Sequence, residues 1–315
     1  MSPLVETITF IFGLVALGYV SGWLGLLDEQ TGEALSDFAV GVAVPLLLFR
    51  TMAGADFGDS LPWKLWLTYF ATIILVWGAG QFMVMRLFKR GSRAGIVGGL
   101  AASFSNLALL GIPFMLGVYG QQGFEILSLL LSVHLPVMMA ATIILFAWLG
   151  GEEAPRGLAA VFVDFIHGLF TNPLILGILA GLLWRFSGLQ MPTLMERLVN
   201  ALADVAAPVA LFAVGLGLRR YGIKGDIRPA LAVSSVKLFL MPAVALVFAK
   251  FVGLPPLSAK VVVAAASLPS GVNPYLIASR FGTGQALSSN AMSIATAVAV
   301  FTTAFWLAVA ERVFG

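Results

Sequence analysis

The sequence predicts an all-α polytopic membrane protein of ten transmembrane helices, and three observations predict it. Of the 315 residues, 60% are hydrophobic and only 10% are charged, against roughly 25% charged in an average soluble domain. Ten apolar segments recur along the chain, each long enough, at roughly 20 residues, to cross a ~30 Å hydrocarbon core as a helix. The charges gather in the breaks, as in "DEQTGE", "FKRGSR", "GGEEAPR" and "RRYGIKGDIR". The absence of cysteine excludes disulfide scaffolds, cysteine zinc sites and thiol nucleophiles. The net charge of +3 is spread singly and in short groups, which is the pattern of membrane loops rather than of a nucleic-acid surface.

The first segment, Leu4 to Leu27, contains Glu6, lacks a basic n-region and shows no clear small-x-small cleavage site. It reads as a retained first span, not a signal peptide. The first five spans centre near Leu14, Val44, Ile74, Ala108 and Ala140, the second five near Ile175, Leu211, Val244, Pro269 and Val298. With ten spans, both termini share a face. The face holding the loops after the odd-numbered spans carries ten of the eighteen Lys and Arg, the opposite face seven, with Lys237 left out as intramembrane. This bias marks the first face as cytoplasmic and puts both termini outside.

A weak internal repeat runs at an offset near 163, where "AVPLLLF" around Pro45 echoes "AAPVALF" around Pro208. Five spans followed by five more force opposite orientations, an inverted-topology repeat common among secondary transporters. The first repeat is expected over 1–150 and the second over 157–315. The fourth span of each half carries a polar interruption. In the first it is Ser103, Ser105, Asn106, Gly111 and Pro113; in the second it is Ser267, Pro269, Ser270, Gly271, Asn273 and Pro274. Gly and Pro weaken a helix where lipid offers no water to a freed backbone group, so such a break belongs beside a cavity. Corresponding breaks in the two halves point to a binding site near the midplane. The start of each second half-helix carries free N–H groups and a partial positive charge that suit a carboxylate or phosphate. Asn106 and Asn273 add amide donors. The bland alternative is a set of ordinary membrane-helix Pro, Gly, Ser and Asn residues bonded to neighbouring helices.

At these residues the chain resembles the auxin efflux carrier family, which includes the plant PIN-formed auxin exporters and bacterial permeases for malate and malonate. The pattern S-x-x-N-x-x-x-x-G-I-P followed by Y-G is similar to Ser103, Asn106, Gly111, Ile112, Pro113, Tyr119 and Gly120. "SLPSGVNPYLIA" resembles the family's second crossover segment, and "FAVGVAVPLLLF", "TNPLILGILAGLLW" with Asn172 and Pro173, and "VKLFLMPAVAL" with Lys237 match further spans. The resemblance implies ten helices in two inverted repeats, with helices four and nine crossing at their breaks near Pro113 and Pro274. It further implies scaffold and crossover domains, each built from both repeats, that move for alternating access, and a homodimer through the scaffold. It makes the chain a secondary carrier or uniporter of a small organic anion in a bacterial inner membrane, without cofactor or metal. The short "GGEEAPR" join fits a compact carrier without the long loop of many plant members.

The substrate-binding candidates are Asn106, Ser103, Gly111, Pro113, Pro269, Ser270, Asn273, Pro274, His134 and Lys237. His134, in "SVHLPVMM", stands near a position where the plant carriers have Gln; its bland alternative is a histidine bonded within the bundle. Lys237 lies well inside an apolar span, where an ionisable residue is a functional hypothesis by default. It would attract the anion or switch by pairing with a carboxylate, against a static ion pair or a snorkelling side chain. Asp37, Asp164, Asp204 and His167 lie toward span ends, where interfacial roles compete, and Asp37 and Asp204 are the candidates for proton coupling. The related bile-acid symporter fold places acidic side chains at its crossover; neither segment here contains Asp or Glu, which argues against sodium coupling. No Walker motif is present. A sodium symporter and a membrane receptor are the rivals; an enzyme would need a clustered catalytic set, and the two histidines are far apart in sequence.

Overall fold

The computed structural model describes residues 3–54, 62–149, 163, 166, 167, 170–218 and 225–315. The 150–156 join and Asp164 lie outside the described residues. Among the described residues helix is the only regular secondary structure. Helix α1 (Pro3–Trp23) is followed by α2 (Glu29–Phe38), which passes through a π turn (Ala39–Ala43) into α3 (Val44–Gly54). Then come α4 (Trp63–Arg86), α5 (Ser92–Ser103), a π turn (Leu107–Gly111) and α6 (Ile112–Leu149). The second half holds α7 (Pro173–Ser187), α8 (Thr193–Asp204), α9 (Ala206–Gly217) and α10 (Ile227–Ser235). A third π turn (Val236–Leu240) leads into α11 (Met241–Val252), followed by α12 (Pro256–Ser267), α13 (Asn273–Arg280) and α14 (Gln285–Phe314).

Local chemistry explains where these helices start and stop. Asp28 caps α2, its Oδ1 accepting from the Thr31 N–H at 2.8 Å and from the Thr31 hydroxyl at 2.6 Å, and these bonds hold its carboxyl below the ordinary aspartate range. Asn172 caps α7 by accepting from Leu174 N–H at 2.9 Å, with Pro173 at the first helical position, where its missing N–H costs nothing. Gly188 ends α7 at φ 66°. Inside α6, Gly120 holds φ 64° and ψ −158°, a region essentially reserved for glycine, which is why the Tyr119–Gly120 pair marks a kink.

Seven helical stretches among the described residues are long and apolar enough to cross a membrane, counted by length and composition. That differs from the ten expected. The fourth and fifth expected spans run together in the 58-residue stretch Ser92–Leu149, while α7 and α12 are shorter apolar helices. The α5 and α12 segments have 12 residues each, a rise of about 18 Å, which is too little for a ~30 Å hydrocarbon core on its own.

The chain divides into two compact units, each drawn from both halves of the sequence. The first comprises Met1–Leu61, Ala108–Val133 and Ile166–Arg220. Its helices approach at glycines: a Cβ on Gly215 of α9 would lie 2.0 Å from the Val15 carbonyl oxygen of α1, and one on Gly18 would lie 2.1 Å from the Phe212 carbonyl oxygen. Gly177 and Gly181 of α7 meet the backbone of Pro45 and Phe49 on α3 in the same way. Lipid supplies no hydrophobic drive between helices, so close small-residue packing takes its place. The second unit comprises Pro62–Leu107, His134–Phe165 and Tyr221–Gly315. There α4 packs on α5, where Gly99 has Trp77 against it, and α14 is tied to α10 by Ser234 Oγ donating to the Ala291 carbonyl at 3.1 Å.

A Gly215→Ala substitution must push α1 and α9 apart and is predicted to destabilise the protein by about 1–3 kcal/mol. At Gly13, where an added Cβ meets nothing within 4 Å, alanine should be neutral or stabilising by up to about 1 kcal/mol. Melting in detergent by intrinsic fluorescence separates the two; equal effects would refute the packing account.

Candidate functional site

The site is built from two half-helices that end alike. Helices α5 and α12 both finish on a serine whose hydroxyl bonds back into its own helix, Ser103 Oγ to the Gly99 carbonyl at 2.9 Å and Ser267 Oγ to the Ala264 carbonyl at 2.8 Å. In each the next residue swings into extended backbone, Phe104 at φ −78°, ψ 129° and Leu268 at φ −63°, ψ 147°. The two breaks then meet, with Asn106 N–H donating to the Pro269 carbonyl at 3.0 Å. Gly271 lies beside Asn106, where an added Cβ would stand 3.4 Å from Asn106 Cβ, an ordinary contact.

Lys237 joins the same two segments. It is fully buried in the third π turn, and its Nζ donates to Ser105 Oγ at 2.7 Å, to the Ala266 carbonyl at 2.8 Å and to Met241 Sδ at 2.8 Å. It therefore does not snorkel, and among the described residues it forms no static ion pair. Among the described residues its ammonium meets no carboxylate.

Several neighbouring polar groups stay unsatisfied. The His134 ring is 3% exposed, and neither nitrogen makes a hydrogen bond of good geometry, although the Ser105 backbone lies near it. It packs against Phe104, ring centroids 4.6 Å apart, and Tyr69, 5.7 Å apart. The Tyr69 hydroxyl is buried near the Ser105 side chain without a hydrogen bond of good geometry, and the hydroxyl of Ser270, 2% exposed just ahead of α13, is buried without a partner. Buried hydroxyls and imidazoles usually find partners, and of these three groups Tyr69 and His134 lie in ring contact with each other.

The remaining predicted residues are dispersed. Pro269 and Pro274 are buried and Asn273 is half-buried at the start of α13. Gly111 and Pro113 are buried in the first unit. The first break is not made by them: the backbone leaves the helix earlier, at Phe104, and Pro113 sits in the opening turn of α6, where proline is tolerated. Asp37 is exposed on α2. Asp204 is exposed and paired with Arg50 at 2.7 Å, the same guanidinium reaching Asn200 Oδ1 at 3.1 Å, and His167 is exposed. A cavity of about 280 Å³ near Gly22, Asp28 and Leu216 holds none of the predicted site residues. Among the described residues, no group of three or more His, Asp or Glu could hold a metal ion. Sequence reasoning missed Tyr69, since one tyrosine in an apolar span carries no signal, and left Ser105 without a role because its partner, Lys237, is 132 residues away.

Comparison with known proteins agrees with the geometry. A proposed malonate transporter of Rhizobium meliloti is 27% identical over 314 residues, covering 96% of this chain and 94% of that protein. An uncharacterised transporter of Methanothermobacter thermautotrophicus is 25% identical over 307 residues, 96% of each chain. Auxin efflux carrier component 8 of Arabidopsis thaliana is 22% identical over 347 aligned positions, 92% of each chain. The model of the family described as membrane transport protein matches residues 3–307. The chain thus belongs to the membrane transport protein family of auxin efflux carriers, and is an integral membrane transporter rather than an enzyme.

Proposed function

We propose that the protein is a secondary carrier or uniporter that moves a small organic anion across the membrane by alternating access, with the anion held at the meeting point of the two broken segments. The single observation that carries this is the buried, unpartnered Ser270 hydroxyl at the N-terminus of α13, beside the Asn106–Pro269 bond. A helix N-terminus favours an anion through its partial charge and free N–H groups. Ser270, Asn273 and Asn106 supply neutral donors to it, and Ser103, Pro269 and Pro274 shape the segments that present them. Gly111 and Pro113 enter the proposal through their sequence position alone.

The favoured substrate is a short dicarboxylate of the malonate or malate type, ahead of an auxin-like indole carboxylate. The unsatisfied His134 nitrogens and Tyr69 hydroxyl suit a second polar group, which an indole ring would leave unpaired. The name of the Rhizobium relative supports the same choice. Ten spans in two inverted repeats, 1–150 and 157–315, a homodimer, a bacterial inner membrane and outward termini complete the proposal. Asp37 and Asp204 are the candidates should movement be coupled to protons.

Purified protein in proteoliposomes should take up labelled malonate or malate saturably, without sodium, and faster than indole-3-acetate. Asn106→Ala should cut that flux about tenfold or more, the worth of one hydrogen bond to a charged group. Flux that requires sodium, or binding without flux, would refute the proposal. Tyr69→Phe removes a buried hydroxyl that makes no hydrogen bond of good geometry, so melting temperature should hold or rise while the apparent KM for dicarboxylates increases; a clear loss of stability would mean that the hydroxyl is structural.

A further inference from the structure

We propose that Lys237 is a built-in cation at the crossing, whose ammonium fills the place a bound inorganic cation would otherwise occupy and holds the two broken segments together. The inference rests on the carrier function proposed above. Its geometry is that of cation coordination: one oxygen from each broken segment, Ser105 Oγ at 2.7 Å and the Ala266 carbonyl at 2.8 Å, converge on Nζ from positions distant in sequence.

The Ala266 carbonyl belongs to the last turn of α12 (Pro256–Ser267), where carbonyls lack helical partners and the helix end carries a partial negative charge. Half-helix C-termini and unwound carbonyls are where ion-coupled carriers coordinate their cations. Here the third contact is Met241 Sδ at 2.8 Å, a soft thioether that suits an ammonium better than a hard metal cation. Three donors on Nζ meet three acceptors, all of them neutral, so the side chain is fully used. A charge buried in a membrane segment is costly, and among the described residues no carboxylate offsets this one; what offsets it is the joining of two segments that lipid cannot solvate. Lys237 is on this account a positioning residue that acts through Ser105 and Ala266, and a tethered cation explains why a carrier with such a crossing would not need sodium.

The test is chemical rescue in the full-length protein. Lys237→Ala should lower dicarboxylate flux in proteoliposomes about ten- to hundredfold, and methylammonium chloride should restore much of it, whereas choline chloride at equal ionic strength, too large for the vacated space, should not. Lys237→Met keeps the apolar stem and fills that space, so its flux should be low and stay low with methylammonium. A Lys237→Ala protein at wild-type flux, an inactive one that methylammonium leaves inactive, or a Met variant rescued as well as the Ala variant would each overturn the proposal. If Lys237→Ala is recovered only as aggregate, purification in methylammonium should yield folded, monodisperse protein, and failure to do so overturns it equally. Wild-type protein without flux for any anion would refute the carrier reading instead, and a methylammonium-induced rise in melting temperature confined to Lys237→Ala would still decide the role of Lys237.

Discussion

A broken helix in hydrocarbon has no water to turn to, and the second unit is organised around that constraint. Each irregular stretch frees carbonyls, and four carbonyls in or beside these stretches have specific donors. Pro269 O is met by Asn106 N–H, Ala266 O by Lys237, Ser267 O by Thr303 Oγ1 at 3.2 Å, and Leu238 O, in the third π turn, by Trp306 Nε1 at 2.9 Å. The donors come from α10–α11 and α14 as well as from the breaks themselves, so the long final helix is held in place by what the breaks require. Removing one break would leave polar groups on three other helices without purpose.

The first unit solves a different problem by different means. Its α1–α9 and α3–α7 approaches are backbone against glycine, which is how helices gain contact when lipid is as apolar as their side chains. Its polar link, Arg50 to Asp204 and Asn200, is exposed and of the kind that contributes little to stability. Packing of this sort resists deformation within the unit, because any shift drives a Cβ or carbonyl into another backbone. Polar crossings are more adaptable, since a donor can exchange one carbonyl for another. Under the proposed function, that difference assigns rigidity to one unit and substrate handling to the other.

Much of this was legible in the sequence, and the misses have physical causes. Apolar length and charge placement identify helices without tertiary information. The matched interruptions were also visible, but the first break was read at Gly111 and Pro113. Proline breaks a helix from inside and opens one from its first turn, and nothing local says which applies; the actual break, Phe104 to Asn106, contains neither Gly nor Pro because its backbone is held by Pro269 across the crossing. A count by length and composition gives seven stretches among the described residues rather than ten, in part because half-helices of 12 residues look like longer spans in a window of apolar sequence. Tyr69 and the Ser105–Lys237 bond are tertiary facts that no local pattern encodes.

The distribution of satisfied and unsatisfied groups bears on how an anion could be held and still released. Lys237 is saturated by neutral oxygens and a sulfur, so an arriving carboxylate would feel its field without displacing it into an ion pair, and a buried ion pair is hard to separate. The groups left open are the Ser270 and Tyr69 hydroxyls and the His134 ring. Each unsatisfied buried group raises the ligand-free state by roughly 1–3 kcal/mol, so a substrate that satisfies them gains without needing a deep electrostatic well. The net binding energy is then modest, because desolvating the anion consumes much of the gain. A carrier must release what it binds on the far side, and a site of dipoles, amides and hydroxyls, backed by a cation already spoken for, meets that requirement better than a salt bridge would.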